Sequence, residues 1–184
     1  TAASVAATVA TQRTTVLLSV PSLYRNRLHE GHAPGIGAAG VRLCVSAGEA
    51  LPKESGERLT AHFGCEVLDG IGSTEMLHIF LSNRPGGVRY GTTGVPVPGY
   101  DIELRDEQGA LVGDDTIGDL YVRGPSSALM YWCARERSRA TFIGDWTKGG
   151  DKYLRSADGY YTYAGRGDDM MKVSGQYVSP FEVE

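Results

Sequence analysis

Residues 69–75 carry the densest group of chemically useful side chains in the sequence and read DGIGSTE. Glycines let backbone N–H groups approach an anion, and the Ser73 and Thr74 hydroxyls can donate hydrogen bonds to phosphate oxygens. The Glu75 carboxylate is of a type that binds divalent cations. The segment therefore favours the phosphate end of a nucleotide site, although a strand-to-helix turn with Ser73 or Thr74 as N-cap explains the same composition. It has neither the lysine of a P-loop nor the glycine spacing of a dinucleotide fingerprint.

Two further polar residues stand in the C-terminal half at positions suited to a ribose. Asp151 follows Gly149 and Gly150 at a predicted strand end, where a carboxylate can accept hydrogen bonds from two hydroxyls. Arg166 carries five N–H donors in a fixed fork and can bind a ribose or phosphate oxygen. Either residue alone is equally typical of a turn or of the protein surface. Only together with residues 69–75 do they indicate a nucleotide site.

The N-terminal half alternates short β-rich runs with helix-like stretches. Strands are predicted at residues 15–20, 41–45 and 65–68, and helices at residues 21–28 and 53–63. Gly64 directly follows the second helix, at a position where glycine commonly ends helices. This alternation predicts an α/β layer.

From about Arg89 onward, helical periodicity fades and period-two alternation replaces it. Strands are predicted at residues 100–105, 118–124 and 160–163, with a hairpin-type turn at residues 106–109. A short helix is predicted at residues 135–141, and its charged residues suggest a solvated face. This half is expected to form a β-rich sheet or a small barrel.

Composition excludes several classes of function. The chain has 184 residues and a net charge of −4, so no basic surface favours a nucleic-acid partner. No apolar run approaches the ~18 residues of a membrane-spanning helix. The 3 cysteines are scattered, which argues against a disulfide framework or a zinc site and fits a reducing cytoplasm. The 25 glycines are roughly double the ordinary usage and are expected in turns between packed elements.

Five ordered motifs together resemble one family. They are Ser46-Ala47-Gly48-Glu49; Ile71-Gly72-Ser73-Thr74-Glu75; Gly118-Asp119-Leu120 with Gly124 and Tyr131-Trp132; residues 146–151; and Gly165-Arg166-Gly167-Asp168-Asp169 with Lys172 and Gly175. In this order they resemble the adenylate-forming superfamily, which comprises acyl-CoA synthetases, peptide-synthetase adenylation domains and luciferases. Residues 69–80 (DGIGSTEMLHIF) and 172–180 (KVSGQYVSP) are most similar to benzoate-CoA ligases and related aryl-CoA ligases.

The resemblance implies a partial adenylate-forming-enzyme fold of the α/β class. Residues 1–167 would be the later part of the large AMP-binding domain, with an α/β segment at 1–88 and a β-barrel-like subdomain at 89–167. Residues 168–184 would be a hinge and the truncated start of the small C-terminal domain. The implied reaction joins a small aromatic carboxylate, such as benzoate, to ATP as acyl-AMP and then transfers the acyl group to coenzyme A.

The resemblance also implies roles for individual residues. The nucleotide would be bordered by Gly48, Glu49, Asp69, Gly70, Ile71, Thr74, Asp151 and Arg166. Catalysis would involve Thr74, Glu75 and Lys172, with Glu75 holding Mg²⁺. The acid pocket would be lined by Ala47, Gly72, His78 and Ile79. Asp168 would be the hinge, and Gly175 would let the pantetheine arm of coenzyme A pass close to the backbone.

Two other interpretations fit the same sequence. One is a different adenylating ligase, which acts on a substituted benzoate or cinnamate or passes the acyl group to a carrier protein. The other is a non-catalytic nucleotide-binding or scaffold domain that has kept the fold. A panel of acids separates the first from a benzoate ligase, and a melting-temperature shift with AMP tests the second.

We expect the chain to be an internal fragment of such a ligase and to adenylate poorly by itself. The family's phosphate loop with its lysine, and its late catalytic lysine, are not in the sequence. Removing one group that stabilises transition-state charge typically slows a reaction by about 10² to 10³. Benzoate-dependent pyrophosphate exchange should therefore be close to background for this chain and robust for a full-length ligase. Exchange by the chain at the full-length rate would contradict the expectation.

Overall fold

The computed structural model describes residues 2–29, 36–167, 171–173 and 176–178 of the chain. The chain divides into two compact units. The first contains Thr1–Ile71 and Ser82–Gly94, and the second contains Gly72–Leu81 and Val95–Glu184. The expected boundary between residues 88 and 89 lies near the end of the first unit at Gly94, and residues 72–81 belong to the second unit.

The first unit alternates helices and strands, as the sequence predicts. Its elements are α1 (Ala2–Gln12), β1 (Val16–Ser19), α2 (Pro21–His29), a 3₁₀ helix (Ile36–Ala39), β2 (Leu43–Ser46), α3 (Lys53–Phe63) and β3 (Glu66–Gly72). Strands β1, β2 and β3 pair in parallel, so that Ser19, Ser46 and Asp69 stand side by side. Because β1 and β2 end at this row, polar side chains lie at the carboxyl edge of the sheet.

Helix α3 begins and ends where the sequence predicts. Gly64 has a φ of 69°, and its N–H donates to the Thr60 carbonyl at 3.0 Å. Glycine adopts this left-handed conformation without the steric cost that a Cβ would add. The buried core of this unit includes Tyr24, Cys44, Leu59, Phe63 and Val67.

Two features of the first unit differ from the predictions. Helix α1 forms where no element is predicted from the sequence, because alanine favours helix and Val9 is buried. Strand β3 runs on to Gly72, through residues that the sequence predicts as a turn. The chain then turns and continues as another strand, β4 (Ile79–Ser82), so the alternative of a helix capped by Ser73 or Thr74 is wrong.

The second unit is rich in β-structure, as predicted. Besides β4 it contains β5 (Val95–Pro96), β6 (Asp101–Arg105), β7 (Gly118–Arg123), α4 (Arg135–Thr141), β8 (Phe142–Ile143), β9 (Trp146–Arg155), β10 (Tyr161–Arg166), β11 (Met171–Val173) and β12 (Gln176–Val178). Strands β10, β9, β7 and β6 form an antiparallel sheet in that order, and β11 pairs with β12. None of the helices described here has the length and apolar character needed to cross a bilayer. The α/β half followed by a β-rich half confirms the predicted fold class.

Strand β9 corrects the expected position of Asp151. Its 10 residues include Gly149 and Gly150, whose weak β propensity hides the strand in the sequence. Pairing with β7 on one side and β10 on the other supplies the missing stability. Asp151 therefore lies inside a strand, opposite Arg166 of β10, and not at a strand end.

Tyr24 offers a test of how α2 is held on the sheet of the first unit. Its buried hydroxyl lies 2.8 Å from the Leu17 carbonyl of β1 and 3.0 Å from the Val45 carbonyl of β2. Tyr24→Phe keeps the ring but leaves these carbonyls without their donor, which should lower the free energy of unfolding by about 1–3 kcal/mol. Urea unfolding followed by circular dichroism measures the change. Tyr24→Leu, which also removes packing, should cost more, and a phenylalanine variant as stable as the parent would contradict the prediction.

Candidate functional site

The second unit contains a cavity of about 250 Å³ into which residues distant in sequence project. Glu75 comes from the turn before β4, Asp151 from β9 and Arg166 from β10. All three are residues that the sequence assigns to a nucleotide site. The structure thus brings Glu75, from residues 69–75, together with Asp151 and Arg166 in one cavity.

Glu75 is held in this cavity as an anion. The Tyr131 hydroxyl donates to its Oε1, and the Ala128 N–H donates to its backbone carbonyl at 2.7 Å. Burial acts to raise the pKa of Glu75, but hydrogen bonds from Tyr131 and Ser73 and the charge of Arg137 outweigh burial and place the pKa below its usual value. The carboxylate is therefore ionised at neutral pH and available to a cation.

Asp151 and Arg166 form a looser pair. Nη1 of Arg166 lies 3.4 Å from Oδ1 of Asp151. Burial raises the pKa of Asp151; the Arg166 charge opposes this rise, and the Glu75 charge adds to it. A Cβ at Gly150 would lie 2.7 Å from Nη2 of Arg166, so glycine leaves room for the guanidinium at this point. The aspartate carries a hydrogen-bonding oxygen beside a cation, which suits a hydroxyl-rich ligand.

Two more cations line the cavity. Lys148 lies 2.9 Å from the Asp119 carboxylate; burial acts to lower its pKa, but Asp119 outweighs burial and raises the pKa. The guanidinium of Arg137 stacks 4.3 Å from the centre of the Tyr131 ring. With Arg166, these cations line the same cavity as the carboxylates of Glu75 and Asp151. A cavity with charges of both signs can accept a polyanion that also brings hydroxyls and a metal ion.

Only some residues of the turn between β3 and β4, and of the start of β4, line the cavity. Thr74 is exposed and is not among the residues that line the cavity. The Met76 N–H bonds both the carbonyl and the hydroxyl of Ser73, each at 3.2 Å, so Ser73 caps this turn and not a helix. His78 is exposed and Ile79 is half-buried, and neither lines the cavity.

Gly72 has a structural reason to be glycine. A Cβ at this position would lie 2.5 Å from the His78 carbonyl oxygen and 2.8 Å from the Ile79 nitrogen. Both are backbone atoms that cannot swing aside. The close approach of this backbone, independent of any ligand, therefore excludes a side chain at Gly72.

The first unit places Glu49 at the start of a helix. Its two carboxylate oxygens accept hydrogen bonds from the Ser22 N–H at 3.1 Å and the Ser22 hydroxyl at 2.8 Å. The carboxylate thus caps α2 and complements its positive end. Ala47 donates its N–H to the Ser19 carbonyl at 3.2 Å. Gly48, with a φ of 87°, turns the chain between Ala47 and Glu49.

Asp69 is the most perturbed acid of this unit. It is 7% exposed in β3, directly before Gly70 and Ile71, and stands beside Ser46 of β2. Within the described residues, neither Oδ1 of Asp69 nor Oγ of Ser46 has a hydrogen-bond partner. Burial raises the pKa of Asp69 to about 8, against a hydrogen bond from the Gly70 backbone. Unpaired polar atoms at the carboxyl edge of parallel strands mark a place where α/β sheets bind ligands.

Three predicted residues belong to the C-terminal segment. Lys172 lies in β11, opposite Tyr177 of β12. Asp168 and Gly175 lie outside the described residues. The structure therefore leaves their roles as predictions.

Comparison with known proteins decides the family. A sequence model of the family described as "AMP-binding enzyme" matches residues 1–132, which is more than half of the chain. The chain belongs to the AMP-binding enzymes.

The relatives of this AMP-binding enzyme include ligases of aromatic acids. It is 57% identical over 170 residues to the benzoate–CoA ligase of Thauera aromatica, covering 92% of this chain and 32% of that protein. A crystal structure of a benzoate CoA ligase from Burkholderia xenovorans LB400 matches with a TM-score of 0.93 and 61% identity, over 100% of this chain and 37% of that one. An anthranilate CoA ligase in complex with anthranoyl-AMP matches with a TM-score of 0.91 and 44% identity, over 100% and 35%. The chain spans about a third of the length of the curated relatives it matches.

Three residues that line the cavity are not predicted as site residues from the sequence. Tyr131 enters only as part of a motif, Lys148 enters only within residues 146–151, and Arg137 is assigned to a solvated helix face. Helix α4 has no buried residue, as predicted, yet Arg137 reaches the cavity by stacking on Tyr131. The only signal in the sequence is the position of Tyr131 a few residues before a basic helix.

The raised pKa of Asp69 predicts how the free energy of unfolding of this AMP-binding enzyme depends on pH. Its pKa is about 8 in the folded chain and about 3.9 when unfolded, so between these values the folded state binds more protons. The free energy of unfolding therefore falls as pH rises through this window, by up to about 1.4 kcal/mol per pH unit. Asp69→Asn stays neutral, so its stability advantage over the parent should grow from pH 5 to pH 8 in urea titrations. An advantage that does not change with pH would show that Asp69 titrates normally.

Proposed function

We propose that this chain is part of an aryl-CoA ligase, which activates benzoate or a close analogue with ATP and transfers the acyl group to coenzyme A. The observation that carries the proposal is the convergence of Glu75, Asp151 and Arg166 in one cavity of an AMP-binding enzyme. The names of the relatives, which give an aromatic acid and coenzyme A, support the substrate class.

The nucleotide half of the proposal follows from the polar groups. Asp151 accepts hydrogen bonds from the ribose hydroxyls, with Arg166 beside it. The unpaired Oδ1 of Asp69 meets a polar group of the adenine. The remaining nucleotide contacts are assigned to Gly48, Glu49, Gly70, Ile71 and, at the phosphates, Thr74.

Mg²⁺ fits the residues present, with Glu75 as its protein ligand. This ion commonly uses one or two carboxylates and takes its other ligands from phosphate oxygens and water. Among the residues described, no cluster of three or more His, Cys, Asp or Glu could hold a metal by itself. When bound, Mg²⁺ would supply positive charge beside the phosphates and so stabilise the negative charge that develops there. Tyr131 keeps the Glu75 carboxylate ionised and oriented for this role.

The acyl half of the proposal rests on the resemblance and the relatives. Ala47, Gly72, His78 and Ile79 line the acid pocket, where small residues leave room for a flat ring. Lys172 and Gly175 face the site after residues 168–184 rotate about Asp168, and Lys172 then acts in catalysis. We place the enzyme in the cytoplasm, since Cys44, Cys65 and Cys133 are scattered in the sequence, as is usual where thiols stay reduced.

A substituted benzoate is the second candidate substrate. The match to an anthranilate CoA ligase at a TM-score of 0.91 favours it. Competition among the acyl-AMPs of benzoate, anthranilate and 4-hydroxybenzoate distinguishes the two candidates. The acyl-AMP that binds most tightly identifies the acid that is the substrate.

AMP binding tests the nucleotide site directly. At about 100 times its Kd, AMP stabilises a folded protein by about 2.7 kcal/mol, which corresponds to a rise in Tm of about 5–10 °C for a chain of this size. Asp151→Ala should abolish the rise, because it removes the acceptor for the ribose hydroxyls. Asp145→Ala, at an exposed acid outside the cavity, should keep it. No rise in the parent chain with AMP or benzoyl-AMP would favour a non-catalytic scaffold.

A further inference from the structure

The turn that carries Glu75 and His78 contains a strained residue. Leu77 has a φ of 70°, a conformation that a non-glycine residue with a bulky side chain rarely adopts. The His78 N–H donates to the Met76 carbonyl at 2.8 Å, so the residues form a γ-turn with a positive central φ, which is the rare form. Leu77 is 75% exposed, so burial does not offset the strain. Other interactions must hold this turn.

A hydrogen-bonded chain from outside the turn supplies them. The Ser126 hydroxyl donates to the Met76 carbonyl at 2.7 Å and lies 2.7 Å from the Tyr100 hydroxyl. The Tyr100 hydroxyl in turn lies 3.1 Å from Nε2 of His78. Tyr100 and Ser126 therefore connect the first and last residues of the γ-turn. We refer to these two residues as the clamp.

The clamp also fixes the imidazole of His78. Nδ1 lies 2.9 Å from the Ile79 carbonyl, and since a carbonyl only accepts, Nδ1 is the donor of this bond. In the neutral imidazole Tyr100 then donates its one proton to Nε2, and Ser126 shares its one proton between the Met76 carbonyl and the Tyr100 oxygen. Nε2 shares a hydrogen bond with Tyr100, and the two rings meet edge to face, 5.7 Å apart at 81°. Both ring nitrogens are thus engaged, although the side chain is exposed. An exposed histidine that is free to rotate would have several rotamers, whereas these two contacts favour one orientation of His78.

The Tyr100 ring packs against Gly124, where a side chain would displace it. A Cβ at Gly124 would lie 2.3 Å from Cδ1 of Tyr100, so only glycine lets the ring lie there. Tyr100 is 9% exposed. The clamp is therefore anchored in packed structure, while the histidine that it holds reaches solvent.

We propose that Tyr100 and Ser126 are positioning residues that fix His78 as a rigid wall of the aromatic-acid pocket, and so determine which ring substituents the pocket accepts. This inference rests on the proposed function, which places His78 in that pocket. A mobile histidine would swing aside for a substituent, whereas a fixed one collides with it. One methyl group in such a pocket changes binding by about 10- to 200-fold.

Tyr100→Phe tests the proposal because it removes the hydroxyl and keeps the ring. In the parent chain, ¹⁵N NMR should show one His78 tautomer with a slowly exchanging Nδ1 proton, and the variant should show exchange-averaged ring nitrogens. Binding of benzoyl-AMP is then compared with that of its 2-, 3- and 4-methyl isomers by calorimetry. We expect the preference for benzoyl-AMP over at least one isomer to fall about tenfold, with the Kd of AMP unchanged.

Two further variants separate positioning from folding. Ser126→Ala removes the hydroxyl that positions Tyr100 and the Met76 carbonyl, so it should loosen His78 in the same direction but by less, and it takes the place of Tyr100→Phe if that variant fails to fold. Tyr161→Phe, at a hydroxyl that bonds Arg155 beside a different cavity, should change neither the His78 spectrum nor the preference.

The outcomes distinguish this inference from the proposed function. A His78 spectrum that neither clamp variant changes overturns the inference, as does a released His78 with an unchanged preference among the isomers. In both cases AMP and benzoyl-AMP binding by the parent chain leaves the proposed function standing. A parent chain that binds neither ligand overturns the proposed function and the specificity role together.

Discussion

The segment from Ser126 to Tyr131 holds the Glu75–Met76 step through three hydrogen bonds, and the geometry of the cavity depends on them. The Ser126 hydroxyl bonds the Met76 carbonyl, the Ala128 N–H bonds the Glu75 carbonyl, and the Tyr131 hydroxyl bonds the Glu75 carboxylate. Local interactions alone would not keep this turn, because Leu77 is strained. Contacts formed some fifty residues later in the chain therefore explain why residues 72–81 belong to the second unit.

Three carboxyl groups of one chemical type differ in pKa because their surroundings differ. Glu75 receives hydrogen bonds from hydroxyls and stays ionised. Burial raises the pKa of Asp151, because Arg166 offsets only part of this effect and the Glu75 charge adds to it. Asp69 has little besides a backbone N–H, and burial raises its pKa to about 8. The identity of an acid in the sequence therefore indicates where chemistry occurs, whereas its protonation state follows only from the packed structure.

The elements of the fold that could be predicted are those that short stretches of sequence determine by themselves. Helix α3 and its Gly64 cap follow from helical spacing and the left-handed preference of glycine, and the strand-rich second half follows from period-two alternation. The length of β9 and the continuation of β3 to Gly72 could not be predicted, because pairing with neighbouring strands overrides the low β propensity of glycine. For the site, sequence identifies Glu75, Asp151 and Arg166. It misses Arg137, whose place in the cavity depends on the reach of a long side chain across Tyr131.

The close packing at Gly72 constrains how the aromatic-acid pocket that we propose could be redesigned. Since the His78 carbonyl occupies the space where a Cβ would stand, no mutation at this position can be used to adjust the size of the pocket without disturbing the backbone. A combinatorial library that varies the whole pocket would lose most members carrying a replacement at position 72. Evolution of new selectivity on this scaffold must therefore proceed through other positions, where a new side chain does not collide with backbone atoms.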